Sequence, residues 1–251
     1  MQLVLDIDLD FFLDRIFYAP DEPQGRLSGE EYQVDDEQKV VSYLEKQCGL
    51  SESSPVPGAM CEHHVEVYDW WEAMVDEGIL EPPFEVVHVD AHADLGLGNL
   101  SCLYIAEEML SQPVEERDVP GGTDPWSLNN CNFMIYAAAM RWLGKMTYVR
   151  HPKCVDDLQW MHMKDFSNDS GALQLKQFDP GFTEGLEDFD EVKKLPFRAE
   201  PEIPLAVQER DAFELKQRPD FLFITKSPNY TPVEMDPIFE KVRPLVDPLD
   251  Q

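Results

Sequence analysis

The chain reads as an α/β protein built on a mainly parallel sheet. Short runs of buried-strand composition alternate with segments of helical spacing, the pattern of parallel strands joined by crossover helices. Two of those runs end in clusters of acids, and ligand sites in such sheets lie at the carboxyl ends of strands. At 251 residues with 43% hydrophobic composition, the sequence supports a single domain over residues 1–251, and it shows no internal repeats.

The first strand is Leu3 to Phe11, in which Asp6, Asp8 and Asp10 alternate with Leu5, Ile7, Leu9 and Phe11. Asp14 to Val34 is polar, holds Pro20, Pro23, Gly25 and Gly29, and reads as a long loop and candidate lid over the acidic mouth. Asp35 to Cys48 has helical spacing through Val40, Val41 and Leu44, with acids suited to its first turn. Leu50 to Gly58 reads as a Ser/Pro linker. A helix is expected from about Cys61 to Asp76, with Val65, Tyr68, Trp71 and Val75 as its apolar stripe and Gly78 as its stop. His63 and His64 fall in its opening turn, where neighbours diverge by about 100°, so at most one faces a site.

The strand Val86 to Val89 comes next, then a short helix over Leu103 to Leu110 and an acidic Pro/Gly loop over Glu115 to Asp124. Asn129 to Leu143 predicts a buried helix and Met146 to Arg150 a strand. From Asp156 to Glu200 the pattern weakens. Ile203 to Val207 and Phe221 to Thr225 read as buried strands, with a short helix over Arg210 to Leu215 between them. A turn from Thr225 to Pro232 leads into a last helix through Val242.

Composition excludes several classes. No apolar run approaches the ~20 residues that span a bilayer, and no signal peptide is visible. The five cysteines are scattered, with no C-x-x-C pair, which predicts free thiols and a reducing, cytoplasmic setting. The net charge of −30 argues against nucleic acid. It fits either a solvated surface or attraction of a cationic substrate.

The chemistry concentrates in Glu85-Val86-Val87-His88-Val89-Asp90-Ala91-His92-Ala93-Asp94-Leu95-Gly96. In an extended segment Asp90, His92 and Asp94 share a face. A solvated turn also accepts acids but gives no reason for them to share a phase. Carboxylates and imidazole suit Mn, Fe or Zn. The acids of the first strand repel one another unless a cation lies between them. Together the two segments hold more ligands than one ion needs, which matches a pair of ions about 3.5–4 Å apart.

Asp90-Ala91-His92-Ala93-Asp94 resembles the Asp-Ala-His-x-Asp signature of the arginase/agmatinase (ureohydrolase) superfamily, and Ile7-Asp8-Leu9-Asp10 resembles its Asp-x-Asp strand. With Glu62-His63-His64 and Ile224-Thr225-Lys226-Ser227-Pro228, the chain looks like the peptide arginase branch, maturases that convert arginine in ribosomal precursor peptides to ornithine. The resemblance implies a three-layer arginase-like fold and two Mn ions. Asp8 and Asp90 would bridge them, with His64 and Asp94 on one and His92 and Asp10 on the other. It also implies hydrolysis of an arginine side chain to urea and ornithine, with Asp94 orienting the attacking water.

Three departures accompany it. In ordinary arginases the Asp-x-Asp strand follows the Asp-Ala-His-x-Asp motif, so its place at the N-terminus here implies a circular permutation. The family's guanidinium-holding glutamate would fall near Thr225, which is uncharged. No histidine follows Asp94 closely enough to be the usual proton shuttle, leaving His151 and His162 as candidates. Asn132 is either a substrate contact or an N-cap.

Two other enzyme classes compete. A haloacid-dehalogenase-type phosphatase also carries an N-terminal Asp-x-Asp strand, but here Phe11-Phe12 follows it and Asp90, His92 and Asp94 have no task. A deacetylase-like amide hydrolase of the ureohydrolase superfamily would share the metal ligands. A non-catalytic binding module is the third alternative. The expected partner is an arginine-containing precursor peptide, since no contacts for the α-groups of free arginine stand out; the oligomeric state is left open.

Overall fold

The computed structural model describes residues 1–18, 25–184, 186 and 188–249. Its strands are β1 (Leu3–Asp8), β2 (Val56–Cys61), β3 (Phe84–Asp90), β4 (Leu143–Arg150), β5 (Ala172–Leu173), β6 (Lys176–Gln177), β7 (Arg198–Ala199), β8 (Ile203–Glu209), β9 (Phe221–Thr225) and β10 (Val246–Pro248). Its α-helices are α1 (Glu37–Lys46), α2 (Glu66–Asp76), α3 (Ser101–Glu107), α4 (Phe133–Ala139) and α5 (Asp236–Val242). Among the described residues, eight strands form one sheet in the order β10-β2-β9-β1-β3-β4-β8-β5, and β6 pairs with β7. All neighbours in the large sheet run parallel except β5, which is antiparallel to β8. The expected α/β class and mainly parallel sheet are therefore present.

Both faces of the sheet are covered, as the unbroken burial of β1 and β9 requires. Leu3, Leu5, Ile7, Val87, Val89, Leu222 and Ile224 pack with Val40 and Leu44 of α1 and Ile238, Phe239 and Val242 of α5. Residues of the opposite parity, Val4, Val86, Phe84 and Phe223, pack with Trp71 of α2, Ile105 of α3 and Phe133 of α4. Helices thus lie on either side of the sheet in three layers.

After β1 the chain leaves through α1 toward β2. After β3 it leaves across the other face, through α3 and α4, toward β4. The two connections diverge from neighbouring strands, opening a crevice at the carboxyl ends of β1 and β3.

Several boundaries differ from the sequence reading. The Leu50 to Gly58 linker gives way at Val56 to β2, whose Pro57 and Gly58 resemble strand breakers. Gly58 is required there because a Cβ would lie 1.7 Å from the Leu222 carbonyl oxygen. Cys61 consequently ends a strand, α2 begins only at Glu66, and its buried stripe is Val67, Tyr68, Trp71 and Met74. The Asn129 to Leu143 helix is reduced to α4, because Arg141 turns left-handed and Leu143 already belongs to β4. The Arg210 to Leu215 helix shrinks to one turn, Arg210–Ala212.

β10 was not expected; it pairs with β2 at the sheet edge. Between Asp14 and Val34 no helix or long strand appears among the described residues, while Ala19 to Gln24 of the candidate lid lie outside them. The five cysteines are free thiols. No helix among the described residues is long and apolar enough to cross a membrane.

Candidate metal centre

The register of β1 and β3 pairs Asp6 with His88 and Ile7 with Val89, so Asp8 and Asp90 follow at the strand ends side by side. From there the site is built by turns. Asp8 caps a short helical turn, Leu9–Phe12, its Oδ1 accepting from the Asp10 amide at 3.1 Å. Asp10 is therefore presented by that turn, and the expected strand alternation holds only through Asp8. β3 likewise stops at Asp90, whose Oδ1 accepts from the His92 amide at 2.8 Å. Asp94 has a φ of +51°, a left-handed conformation that aspartate tolerates better than most residues. The shared phase expected of Asp90, His92 and Asp94 is a reversal of the chain instead.

His64 reaches the same place from the β2–α2 connection. The Glu66 side chain accepts from the amides of Glu62 and His63 at 3.0 and 3.1 Å, closing the turn before α2. Within it His64 is buried and His63 half-buried, and neither lies in the helix itself.

Asp8, Asp10, His64, Asp90, His92 and Asp94 line one cleft. Nδ1 of His64 lies 3.1 Å from Asp8, 3.2 Å from Asp90 and 3.0 Å from Asp94. Nδ1 of His92 lies 3.0 Å from Asp10 and 3.8 Å from Asp90. Three donor sets share Asp90: Asp8, His64 and Asp90 form one, Asp10, Asp90 and His92 another, and His88, Asp90 and Asp94 a third, while Asp6, His64 and His88 form a further set beside them.

The outer nitrogens of both histidines are occupied. His64 Nε2 is 3.1 Å from both Asp6 oxygens, and His92 Nε2–H donates to the Phe17 carbonyl at 3.0 Å. Each inner nitrogen is thus left to face carboxylates, the arrangement a ligand histidine needs. Asp90 Oδ2 is buried without a well-formed hydrogen bond. A cation between these groups would satisfy it, so the residues present fit a metal.

Electrostatics point the same way. Burial, then Asp10 and Asp94, push the Asp90 carboxyl well above its ordinary value. Burial and Asp10 raise Asp8 too. Burial opposes charging of His64, but Asp6 and Asp8 outweigh it and hold this imidazole well above its usual range. Asp10 does the same for His92. Charge is therefore crowded here in a way that divalent cations relieve.

Other expected residues lie elsewhere. Asn132 is fully buried, donates to the Ser127 carbonyl and accepts from the Asn129 amide, each within 2.9 Å, so it braces its own loop. It makes no side-chain N-cap bond to α4. Thr225 is fully buried at the end of β9 and lies outside the cleft lining. His151 packs edge-on to Phe11, and His162 is buried near Lys176; neither lines the cleft.

The sequence reading gave no site role to Asn130, Cys131, Ser227 and Tyr230, which complete the cleft wall. Ser227 donates to Asp8. His88 shares Asp90's strand parity, and its Nδ1 lies 2.8 Å from Asp6. Asp157 comes from a stretch without periodicity. It accepts from the Ala93 amide at 2.7 Å, and burial raises its carboxyl to about 6. The chain matches no family model, no curated protein and no solved structure.

Proposed function

We propose that this chain is a binuclear metallohydrolase of the arginase type, acting on arginine side chains within a peptide and releasing urea to leave ornithine. The carrying observation is that the donor set holding Asp8 and His64 and the one holding Asp10 and His92 share one buried carboxylate, Asp90. Oxygen donors with one imidazole on each side suit a pair of divalent ions, with Mn as the proposed native metal and Fe or Zn compatible with the same donors. The arginase-like topology and its circular permutation belong to the same reading.

In this assignment Asp8, Asp10, His64, Asp90, His92 and Asp94 would hold the ions, with Asp90 common to the Asp8/His64 and Asp10/His92 groups. Bound there, the ions supply Lewis acidity and lower the pKa of water so that a nucleophile forms near neutral pH. The chain's own groups do the rest. Asp6 and the Phe17 carbonyl hold the two imidazoles in orientation. Asp94, turned into the cleft by its left-handed backbone, accepts a hydrogen bond from the attacking water and directs it at the guanidinium carbon. The nitrogen that departs must gain a proton. Two divalent charges balance the four carboxylates lining the cleft, which leaves recognition of the guanidinium to the polar wall of Asn130, Ser227 and Tyr230.

Incubation of the Mn-loaded protein with an arginine-containing peptide tests this reading. Urea and an ornithine peptide are the expected products. Acetate from an acyl-lysine peptide would indicate the deacetylase alternative, and phosphate from a phosphoester the phosphatase. Absence of urea from a protein carrying two ions removes the proposal, and much faster turnover of free arginine removes its peptide part.

A further inference from the structure

Beside the cleft lies a surface that the hydrolase reading does not use. Leu97, Leu100 and Trp126 are 48%, 45% and 36% exposed, large apolar side chains on two adjoining loops. Leu97 follows Asp94 by three residues, which bounds their Cα separation at about 11 Å. The Gly96 amide donates to the carbonyl of Cys131, a residue of the cleft wall, at 2.8 Å. The Leu100 amide donates to the Pro125 carbonyl at 3.3 Å, which sets Leu100 next to Trp126. Tyr104, in the first turn of α3, stacks on the Trp126 ring at 6.5 Å, and Tyr136 donates to the Trp126 carbonyl. Single exposed apolar residues are ordinary, whereas three on loops fixed against one cleft form a patch.

The charge around the patch specifies what covers it. Between Leu97 and Cys131 the acids are Glu107, Glu108, Glu115, Glu116, Asp118 and Asp124, all but Glu107 exposed. The one base of that stretch, Arg117, is buried and paired with Glu200 at 2.8 Å. An apolar strip in a stretch where acids far outnumber bases complements a basic, amphipathic chain.

We propose that Leu97, Leu100 and Trp126 dock the apolar residues flanking the target arginine of an extended basic peptide. This rests on the peptide hydrolase reading for the neighbouring cleft and assigns its substrate a sequence preference.

Fluorescence anisotropy on the Mn-loaded protein tests it with two labelled peptides that carry a central ornithine, the proposed product, flanked by leucines in one and serines in the other. The leucine peptide is expected to bind roughly 10-fold more tightly, as burial of one or two leucines provides. The Leu97→Ser/Leu100→Ser/Trp126→Ser variant is expected to lose that preference while keeping its Mn content. Leu97→Ser alone, expected to lose part of it, serves if the triple variant does not fold. Equal binding of the two peptides by the wild type overturns the proposal. So does a preference retained in the variants, or a wild-type dimer that the substitutions dissociate, since a second copy would then cover the patch. Urea release without flank discrimination removes this inference alone. Leucine-dependent binding without urea release leaves the docking surface standing and removes the hydrolase reading.

Discussion

The Asp6 carboxylate faces Nε2 of His64 at 3.1 Å, on the side of the imidazole turned away from the cleft. Neither group reaches past the other, since both are almost wholly buried. Asp6 therefore fixes which nitrogen carries the proton and leaves Nδ1 for Asp8, Asp90 and Asp94. Partners of this kind are worth 10–100-fold in metal affinity. Asp6→Ala is expected to weaken Mn binding by about that factor in a chelator competition, and Asp6→Asn by less because an acceptor remains. Unchanged affinity in both variants would show that the contact plays no part in holding metal.

Asp90 is shared by the donor sets of Asp8 with His64 and of Asp10 with His92, and its removal has two opposite consequences. Without metal, Asp90→Asn relieves a carboxylate crowded by burial, Asp10 and Asp94, so the metal-free variant should melt higher than the metal-free wild type. With Mn, the variant should lose the stabilisation that the wild type gains. Its urea release should fall by more than roughly 100-fold, since even residues that merely support a ligand cost 10–100-fold. Calorimetry and metal analysis on the same samples read both effects, and an Asp90→Asn protein that keeps two ions and full activity refutes the assignment.

The pH dependence follows from the same crowding. Asp8 and Asp90 have folded values raised above the ordinary 3.8, and His64 and His92 above 6.5. In each case the folded state holds the proton more tightly, so stability is full below the ordinary value and lost as pH rises through the raised one. Asp6 and Asp10 are lowered, with the opposite sign, and their loss of stability falls below 3.8. The metal-free protein should therefore lose the contribution of Asp8 and Asp90 above pH 3.8 and that of His64 and His92 above 6.5, while the increase in melting temperature on adding Mn grows. Proton release during Mn titration is the direct check, because cations displace the protons that the empty site retains.

How much of this could be read from the sequence depends on which force placed each residue. Asp6, Asp8 and Asp90 sit on strands, so alternation gave them their faces, and His88, of the same parity as Asp90, was not drawn in. Asp10 and Asp94 were placed by carrying the same alternation past Asp8 and Asp90, where the chain turns instead, so they reach the cleft for a reason the pattern did not contain. Asp157 is held by one tertiary bond to Ala93 from a segment of no regular structure, which no local pattern announces. Asn132 and Thr225 were placed by resemblance, and local packing used them otherwise. β2 was hidden because Pro57 and Gly58 are poor strand formers whose presence reflects a neighbour, not a preference.

That neighbour makes Gly58 a sensitive position. An added methyl would meet the Leu222 carbonyl oxygen at 1.7 Å, which forces β2 and β9 apart. Overpacking of this kind costs about 1–3 kcal/mol, and backbone on both sides leaves little room to relax. Gly58→Ala is expected to lower stability at the upper end of that range in denaturant unfolding. Because β2 also carries the turn that presents His64, Mn affinity should fall with it.

His162 offers a test of acid sensitivity away from the cleft. It is buried, its Nε2 has no hydrogen-bond partner, and burial together with Lys176 lowers its value to about 3. Lys176 itself is lowered to about 8 by burial and donates to the carbonyls of Met161, Met163 and Gln174, so it remains a cation facing the imidazole. The unfolded chain takes up a proton on His162 below its ordinary 6.5, whereas the folded chain refuses it until about 3. Stability from this residue is therefore present above 6.5 and lost as pH falls toward 3, with a limiting slope of about 1.4 kcal/mol per pH unit. His162→Gln cannot be charged and should show a smaller loss of unfolding free energy between pH 6.5 and 4.5 than the wild type. Equal losses in the two proteins would mean that the imidazole is charged in the folded state, against the surroundings described for it.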